Sequence, residues 1–575
     1  MAALLVLGLL LSQEPITPDD PSSLQRAFNA AIRAGTTKLV IPAGTYRLPV
    51  PQGVFSLLVR DAKDLEIDAR GAEIVIGDPL KGGLQFFRCR NVKLRGLSIR
   101  HDLPPFTQGR IVAIAPDEKS LDVKIHEGYP APEETWPAAY VFDPKTRLWK
   151  AGTIDLSPQR VEPLEKGLFR LHFRGKCGRS VHPVEVGDLL AYRGRGLTDL
   201  HLGACSGITV EDVTIRNGGG FCVHEDGGEG GNRYRYRVTY GPKPPGATEA
   251  PLLSCNADAF HSSGVRKGPT LEGCLFEGMG DDGIPIHGAY SLIVESREKS
   301  WVATDGVLRE GDPLRLFNPD GGPAGEGKVV SIRRLQDYSP TEKSRFHGFA
   351  DFSKQRFVEV VTDPPLAAGF DWQASNPAST GSGFVVRNNV IRNHRARGIL
   401  IKADDGLIEG NTIEGSTIAG IVLAPELWWR EACYSRNVII RNNTLRRCGM
   451  ASVGPWTVQA GALSVTSEAK PGAAPGHRNI TIENNRFIEN DGVNLLLRSV
   501  DGALVKGNRF ERPAQAPTRR GSAQKIDPAA LVWVAQSRNV RFEANQVLDA
   551  GAAFAKRVGV GLETLDLAGV ETGIK

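Results

Sequence analysis

Apolar and polar positions alternate along this chain in short paired runs, and the pairs recur. They read NVKLRGLSIRHD (Asn91–Asp102), GITVEDVTIRNG (Gly207–Gly218), GPTLEGCLFEGM (Gly268–Met279), GFVVRNNVIRNH (Gly383–His394), NVIIRNNTLRRC (Asn437–Cys448), NITIENNRFIEN (Asn479–Asn490) and NVRFEANQVLDA (Asn539–Ala550). A period of two argues strands, and each pair flanks a polar turn rich in Asn, which tolerates the left-handed conformation and can bond its own backbone. A second element follows several pairs: Gly, an aliphatic or aromatic residue, any residue, then an aliphatic. It occurs at Gly220–Val223, Gly283–Ile286, Gly398–Ile401, Gly420–Leu423 and Gly492–Leu495. The units repeat at intervals of roughly 22–36 residues, the longer ones carrying loops. No single unit can bury its apolar face, so the pattern predicts an all-β solenoid of short parallel strands whose stack is the core.

The remaining segments fit around this stack. SSLQRAFNAAIRAG (Ser22–Gly35) places Leu24, Phe28 and Ile32 at helical spacing and predicts an amphipathic helix capping the open end of the solenoid. The rhythm breaks twice, at about Leu103–Gly196 and Ala289–Ser375, in stretches that still read as strands and share a Gly-Asp-x-Leu turn. These predict two small inserted β-barrel-like domains. The division is therefore a signal-like segment at 1–15, solenoid at 16–102, a first insertion at 103–196, solenoid at 197–288, a second insertion at 289–375 and solenoid at 376–575.

Composition adds exclusions. Of 575 residues, 41% are hydrophobic and 23% charged, which allows a packed core, and Gly (65) far outnumbers Met (3), which favours strands and tight turns. A formal net charge of +5 with no dense basic run gives no reason to expect nucleic acid or an anionic membrane. The apolar run Ala2–Leu11 is too short to span a bilayer and resembles the core of an export signal, although a basic start is missing. The expected location is secreted or periplasmic. Eight cysteines lack zinc-ligand spacing and read as small buried hydrophobes, with one or two disulfides compatible with export.

The chemistry concentrates in GMGDDGIPIHG (Gly278–Gly288) and NADAFHSSG (Asn256–Gly264). DAFHSSG and DGIPIHG align without gaps at an offset of 24 residues, one coil. Neighbouring parallel strands lie ~4.8 Å apart, so Asp258 should stack on Asp282 with Asp281 beside them. Parity puts Ile284 and Ile286 in core columns with Phe260, Phe221 and Val223, and with Ile399 and Ile401. The outward positions are then His287 and His261, with His224 and Lys402 in the column of His287, giving an exposed stripe of Asp, His and Lys. A single Asp-Gly is usually turn capping. Three stacked carboxylates are another matter, because crowding raises at least one pKa. One carboxyl that keeps a proton and one ionised neighbour are the two roles that glycoside hydrolysis needs. The competing use is a Ca²⁺ site.

Asn-x-Asp, one coil, then Gly-Asp-Asp resembles the polygalacturonase-type hydrolases of family 28. The chain is still more similar to glycoside hydrolase family 110, the α-1,3-galactosidases, through NADAFHS, GDDGIPIHGAY, PPFTQG (Pro104–Gly109) and WWRE (Trp428–Glu431), across roughly Ile16 to Ala550. That resemblance implies a right-handed parallel β-helix of the pectate lyase-like superfamily and an exo-acting, inverting hydrolysis of terminal galactose without a cofactor or metal. Asp258, Asp281 and Asp282 would supply acid and base, with their order open. One-coil stacking brings carboxyls closer than the ~6.5–9.5 Å of an inverting pair, so side-chain direction has to open the gap. His261, His287, His224, Lys402, Trp429 and Glu431 are candidate substrate contacts, Trp429 because an indole stacks on a sugar ring. Pro285 departs from the family's polar residue, and the acceptor-side loops match poorly. The rivals are a polygalacturonase-like hydrolase or lyase, and a non-catalytic glycan-binding solenoid. Oligomeric state is not readable.

Overall fold

The computed structural model describes residues 16–177 except 21, 184–345 except 307, 352, 355–450, 459–517 and 525–575. The signal-like segment therefore lies outside the described residues. The predicted helix spans Ser22–Ala34 and buries Leu24, Phe28 and Ala31 against the first strands, closing one end of the core.

Three ladders of parallel strands run along the molecule and enclose one apolar core. The ladder that carries the site pairs Phe55–Arg60, Gly82–Phe87, Leu200–Gly203, Val223–Asp226, Phe260–Ser263, Ile284–Ser296, Arg397–Lys402 and Ala419–Leu423 in turn. Its inward column reads Leu84, Leu200, Val223, Phe260, and then Ile284, Ile399, Ile421, Leu463 and Leu495, all fully buried. The predicted register between Asp258 and Asp282 is the observed one, since Ser263 pairs with His287 and Ser262 with Ile286.

Phe221 departs from expectation. Val223, not Phe221, stands in the column of Phe260, and the half-buried Phe221 ring stacks on His261 at 4.2 Å. Gly218, Gly219 and Gly220 give three glycines to align on, and a slip of two preserves parity, so alternation cannot detect it.

The turn asparagines act differently from expectation. Asn388, Asn442 and Asn484 take positive φ, while the next residue points inward. Asn389, Asn411, Asn443, Asn485, Asn508 and Asn545 form a buried ladder in which each of the first five donates through Nδ2 to the Oδ1 one coil on, at 2.9–3.0 Å, and Asn545 ends it on the Gly573 carbonyl. The amides thus bond the neighbouring coil rather than their own backbone. All eight cysteines are buried thiols.

The first insertion is a six-stranded antiparallel sheet in the order Ala138–Phe142, Leu189–Arg193, Phe106–Ile114, Ser120–Ile125, Leu168–His172, Arg160–Glu165. The second closes into a six-stranded ring. Strand Ile284–Ser296 pairs with Trp301–Thr304 and Gln373–Ser375, and Phe357–Asp363, Pro323–Leu335 and Pro313–Phe317 complete the circuit. One continuous strand thus serves solenoid and barrel: Ile284–His287 pair with Ile399–Lys402, and Tyr290–Leu292 pair with Gln373–Ser375. The shared turn has one geometry in both insertions, with Asp188 accepting from the backbone N–H of Glu185 and Asp312 from that of Arg309.

Candidate active site

Asp258 precedes strand Phe260–Ser263, and Asp281 and Asp282 precede strand Ile284–Ser296, so coil stacking brings the three together. One oxygen from each lies within 4.8 Å of the others. Asp258 accepts from the backbone N–H of Asp282 at 3.1 Å and its other oxygen lies 2.7 Å from His261 Nδ1. Asp282 accepts from the backbone N–H of Arg397 at 2.8 Å and from its guanidinium at 3.0 Å. Asp281 is gripped by Arg193, at 3.0 Å, and by Arg395.

These settings divide the carboxyls. Burial alone would raise Asp281, but Arg395, Arg193 and Arg397 together hold it down at about 2. Burial, reinforced by the charge of Asp281, pushes Asp258 well above the carboxylate range. Burial also raises Asp282, against the pull of Arg397. These settings pull the trio apart, one carboxyl lowered and two raised, which is the kind of separation acid/base chemistry uses.

The stripe faces away from the solenoid core as expected, but it is not exposed. Lys402 is 0% accessible, and Asp258, Asp282 and His287 are buried. The loop Glu426–Glu431 folds back over it, pairing Glu431 and Ala432 with Ala289 and Gly288. Lys402 donates to Glu426 at 2.9 Å and to Glu431, which also lies 3.8 Å from His287 Nε2. Trp428 and Trp429 stay exposed at 50% and 66% on the cleft wall. The cleft has a volume of about 790 Å³ and is lined by Asp258, Asp281, Asp282, His261, Trp429 and Glu431 among others.

His287 and Lys402 share a column, as expected. His224 does not: it pairs with His261, two positions from the predicted place, through the same slip that displaced Phe221. It lies outside the cleft lining, its ring 5.2 Å from that of His261, and burial pushes it down to about 3.

Sequence reading missed several contributors. Arg193 comes from the last strand of the first insertion and also donates to the carbonyls of Asn256 and Gly280. Tyr140, from the same insertion, donates to the Gly280 carbonyl at 2.8 Å, so the insertion braces the Asp-Asp turn. PPFTQG takes part in this bracing: the Pro105 carbonyl accepts from Asn256, and Gln108 bonds the backbone of Ala250 and Leu252. Arg395 and Arg397 sit one coil beyond the carboxylates, a position the alignment gives, whereas Arg193, Glu426 and Glu468 come from loops and an insertion with no shared repeat.

Among the described residues, two groups have donor atoms close enough for a cation, the three aspartates and His261 with His287 and Glu431. Around the first, the guanidiniums of Arg193, Arg395 and Arg397 already supply positive charge. Beside the second stands the buried ammonium of Lys402, bonded to Glu431. No helix among the described residues is long and apolar enough to cross a membrane.

A family model described as the right handed beta helix region matches residues 374–510. The alpha-1,3-galactosidase B of Bacteroides thetaiotaomicron is 23% identical over 483 residues, covering 80% of this chain and 75% of that protein. The alpha-1,3-galactosidase B of Phocaeicola vulgatus is 25% identical over 496 residues, covering 79% of each. Among solved structures, the catalytic unit of the thermostable GH87 alpha-1,3-glucanase from Streptomyces thermodiastaticus strain HF3-3 matches at a TM-score of 0.43 and 11% identity, over 94% of this chain and 65% of that one. The coils form a right-handed parallel β-helix, and its alpha-1,3-galactosidase relatives mark the chain as a glycoside hydrolase. The resemblance to the α-1,3-galactosidases of family 110 is borne out by the relatives.

Proposed function

We propose that this glycosidase removes terminal α-1,3-linked galactose from glycans, exo-acting and with inversion, and that Asp258, Asp281 and Asp282 provide its acid and base. The observation that carries the reading is the trio's charge division, with Asp281 ionised and Asp258 and Asp282 raised by burial. A protonated carboxyl delivers its proton to the glycosidic oxygen while an ionised one takes a proton from the attacking water. The cations favour a neutral sugar. Arg193 and Arg395 are committed to Asp281, Arg397 to Asp282 and Glu426, and Lys402 to Glu426 and Glu431. A uronate would have to displace one of these pairs. Trp429 offers a ring face, and His261 and Glu431 polar atoms, to hydroxyls. Inversion is supported by the family resemblance, and the signal-like start supports export.

The test is incubation with Gal-α-1,3-Gal oligosaccharides and nitrophenyl glycosides, followed by proton NMR of the first sugar released. Release of β-galactose, abolished in Asp281→Asn, is the expected result. Early α-galactose would replace inversion by retention. Turnover of polygalacturonate without release from any α-galactoside would overturn the substrate class.

A further inference from the structure

His287 and His261 meet through their Nε2 atoms at 2.9 Å, a hydrogen-bond distance that needs one proton between the two nitrogens. The other ring nitrogens are also occupied. His287 Nδ1 lies 2.7 Å from the Gly288 carbonyl, which can only accept, so Nδ1 carries a hydrogen. His261 Nδ1 lies 2.7 Å from Asp258 Oδ2. With Asp258 ionised and both imidazoles neutral, each Nδ1 would hold its ring's single hydrogen and two bare nitrogens would face each other. One further proton satisfies every contact. It can rest on Asp258, which then donates to His261 Nδ1 while His261 Nε2–H donates to His287, or it can sit on either ring as imidazolium. These arrangements contain the same three protons and differ only by hops along hydrogen bonds.

Resting on the proposed function above, we infer that Asp258, His261 and His287 are one proton-holding unit, in which the two histidines act as positioning residues that keep Asp258 supplied with its proton between turnovers. The surroundings decide where the proton rests. His261 faces His224 and Phe221 from the preceding coil, and His287 faces Glu431. Lys402 from the following coil lies close enough to disfavour charge on both rings, Glu431 acts the other way on both, and Asp281 acts the other way on His261. Burial outweighs these and pushes each imidazole down to about 4. The extra proton therefore sits on Asp258. When Asp258 gives its proton to a leaving oxygen, its carboxylate is left facing the bare Nδ1 of His261, an arrangement that draws a replacement proton from solvent water. Substrate contact alone would not require His287, which is buried behind His261, to be linked to it at all.

The experiment has two readouts. Protein selectively labelled with ¹⁵N-histidine should show His287 protonated at Nδ1 and His261 at Nε2, assigned by loss of each signal in His287→Phe and His261→Phe. His261 protonated at Nδ1 instead would overturn the inference, as would stoichiometric metal with neither Nε2 protonated. This readout needs no turnover, so it survives failure of the proposed substrate. In the pH profile of galactose release, His287→Phe should move the alkaline limb acidward by about one unit or more with KM changed less than about threefold. An unmoved limb with a raised KM would return both histidines to sugar binding. His287→Asn, able to bond the Gly288 carbonyl but not to complete the chain, should behave like His287→Phe, and recovery of the wild-type limb by Asn would also count against the unit.

Discussion

Asp281 is the residue on which the electrostatics of the cleft turn. Its carboxyl is buried, and only the neighbouring guanidiniums keep it ionised. Replacing Arg395 by Gln removes the largest of these influences, so the acid limb of kcat should move to higher pH by about one unit. The same depression predicts a stability effect of defined sign. A carboxyl lowered in the folded state contributes stability above its unfolded value near ~3.9, and that contribution is lost as pH falls toward the folded value. Wild type should therefore lose stability between about pH 4 and the Asp281 value of about 2, while Asp281→Asn lacks that component in acid titrations followed by circular dichroism. Trp429, exposed on the cleft wall, makes a separate case. Trp429→Ala should raise KM by about three- to tenfold with little change in kcat, consistent with the loss of one ring-stacking contact. At this scale much was legible. The offset between Asp258 and Asp282 follows from the repeat, and so does the position of Lys402. Arg193 and Glu426 were not, because they reach the cleft from segments that no coil-to-coil alignment covers. The slip at His224 was invisible for a different reason, since a two-residue shift leaves inside and outside unchanged.

Among elements, the asparagine ladder and the glycine turns fix the coil-to-coil register. Asn443 donates to Asn485 and to the Ile408 carbonyl and accepts from Asn411, all in the buried interior. Asn443→Leu strands these partners and should cost about 1–3 kcal/mol or more in urea denaturation, with the midpoint falling and the slope unchanged. Gly283 is held by close approach: a Cβ there would meet the Gly398 carbonyl oxygen at 2.4 Å. Gly283→Ala should therefore both destabilise the fold and lower kcat, because the clash lies one residue from Asp282. Alternation made the strands readable, and the repeated Asn-Asn pairs marked the turns. The ladder itself was hidden, since sequence shows that Asn recurs without showing that the second of each pair turns inward.

For the whole molecule, the relevant balance is one of charge. Among the described residues, every basic group on the cleft floor is paired with a carboxylate, and three arginines surround the aspartates where a cation would stand. Activity should therefore be unchanged after dialysis against a chelator, and a loss restored by Ca²⁺ would favour the lyase rival. The architecture was legible almost end to end, because a stack of like units advertises itself, and the second insertion closes into the barrel its strands suggested, completed by a last strand of three residues. That closure has an evolutionary consequence. The barrel leaves the solenoid through strand Ile284–Ser296 and returns beside it, Tyr290 opposite Ser375, so both ends of the insertion meet at one spot. Leu427, next to the tryptophans, packs into the barrel's apolar cluster. Lineages can therefore lengthen, shorten or exchange this module, altering the prop beneath the tryptophan loop and with it the glycan admitted, while the alignment of Asp258 on Asp282 is inherited intact.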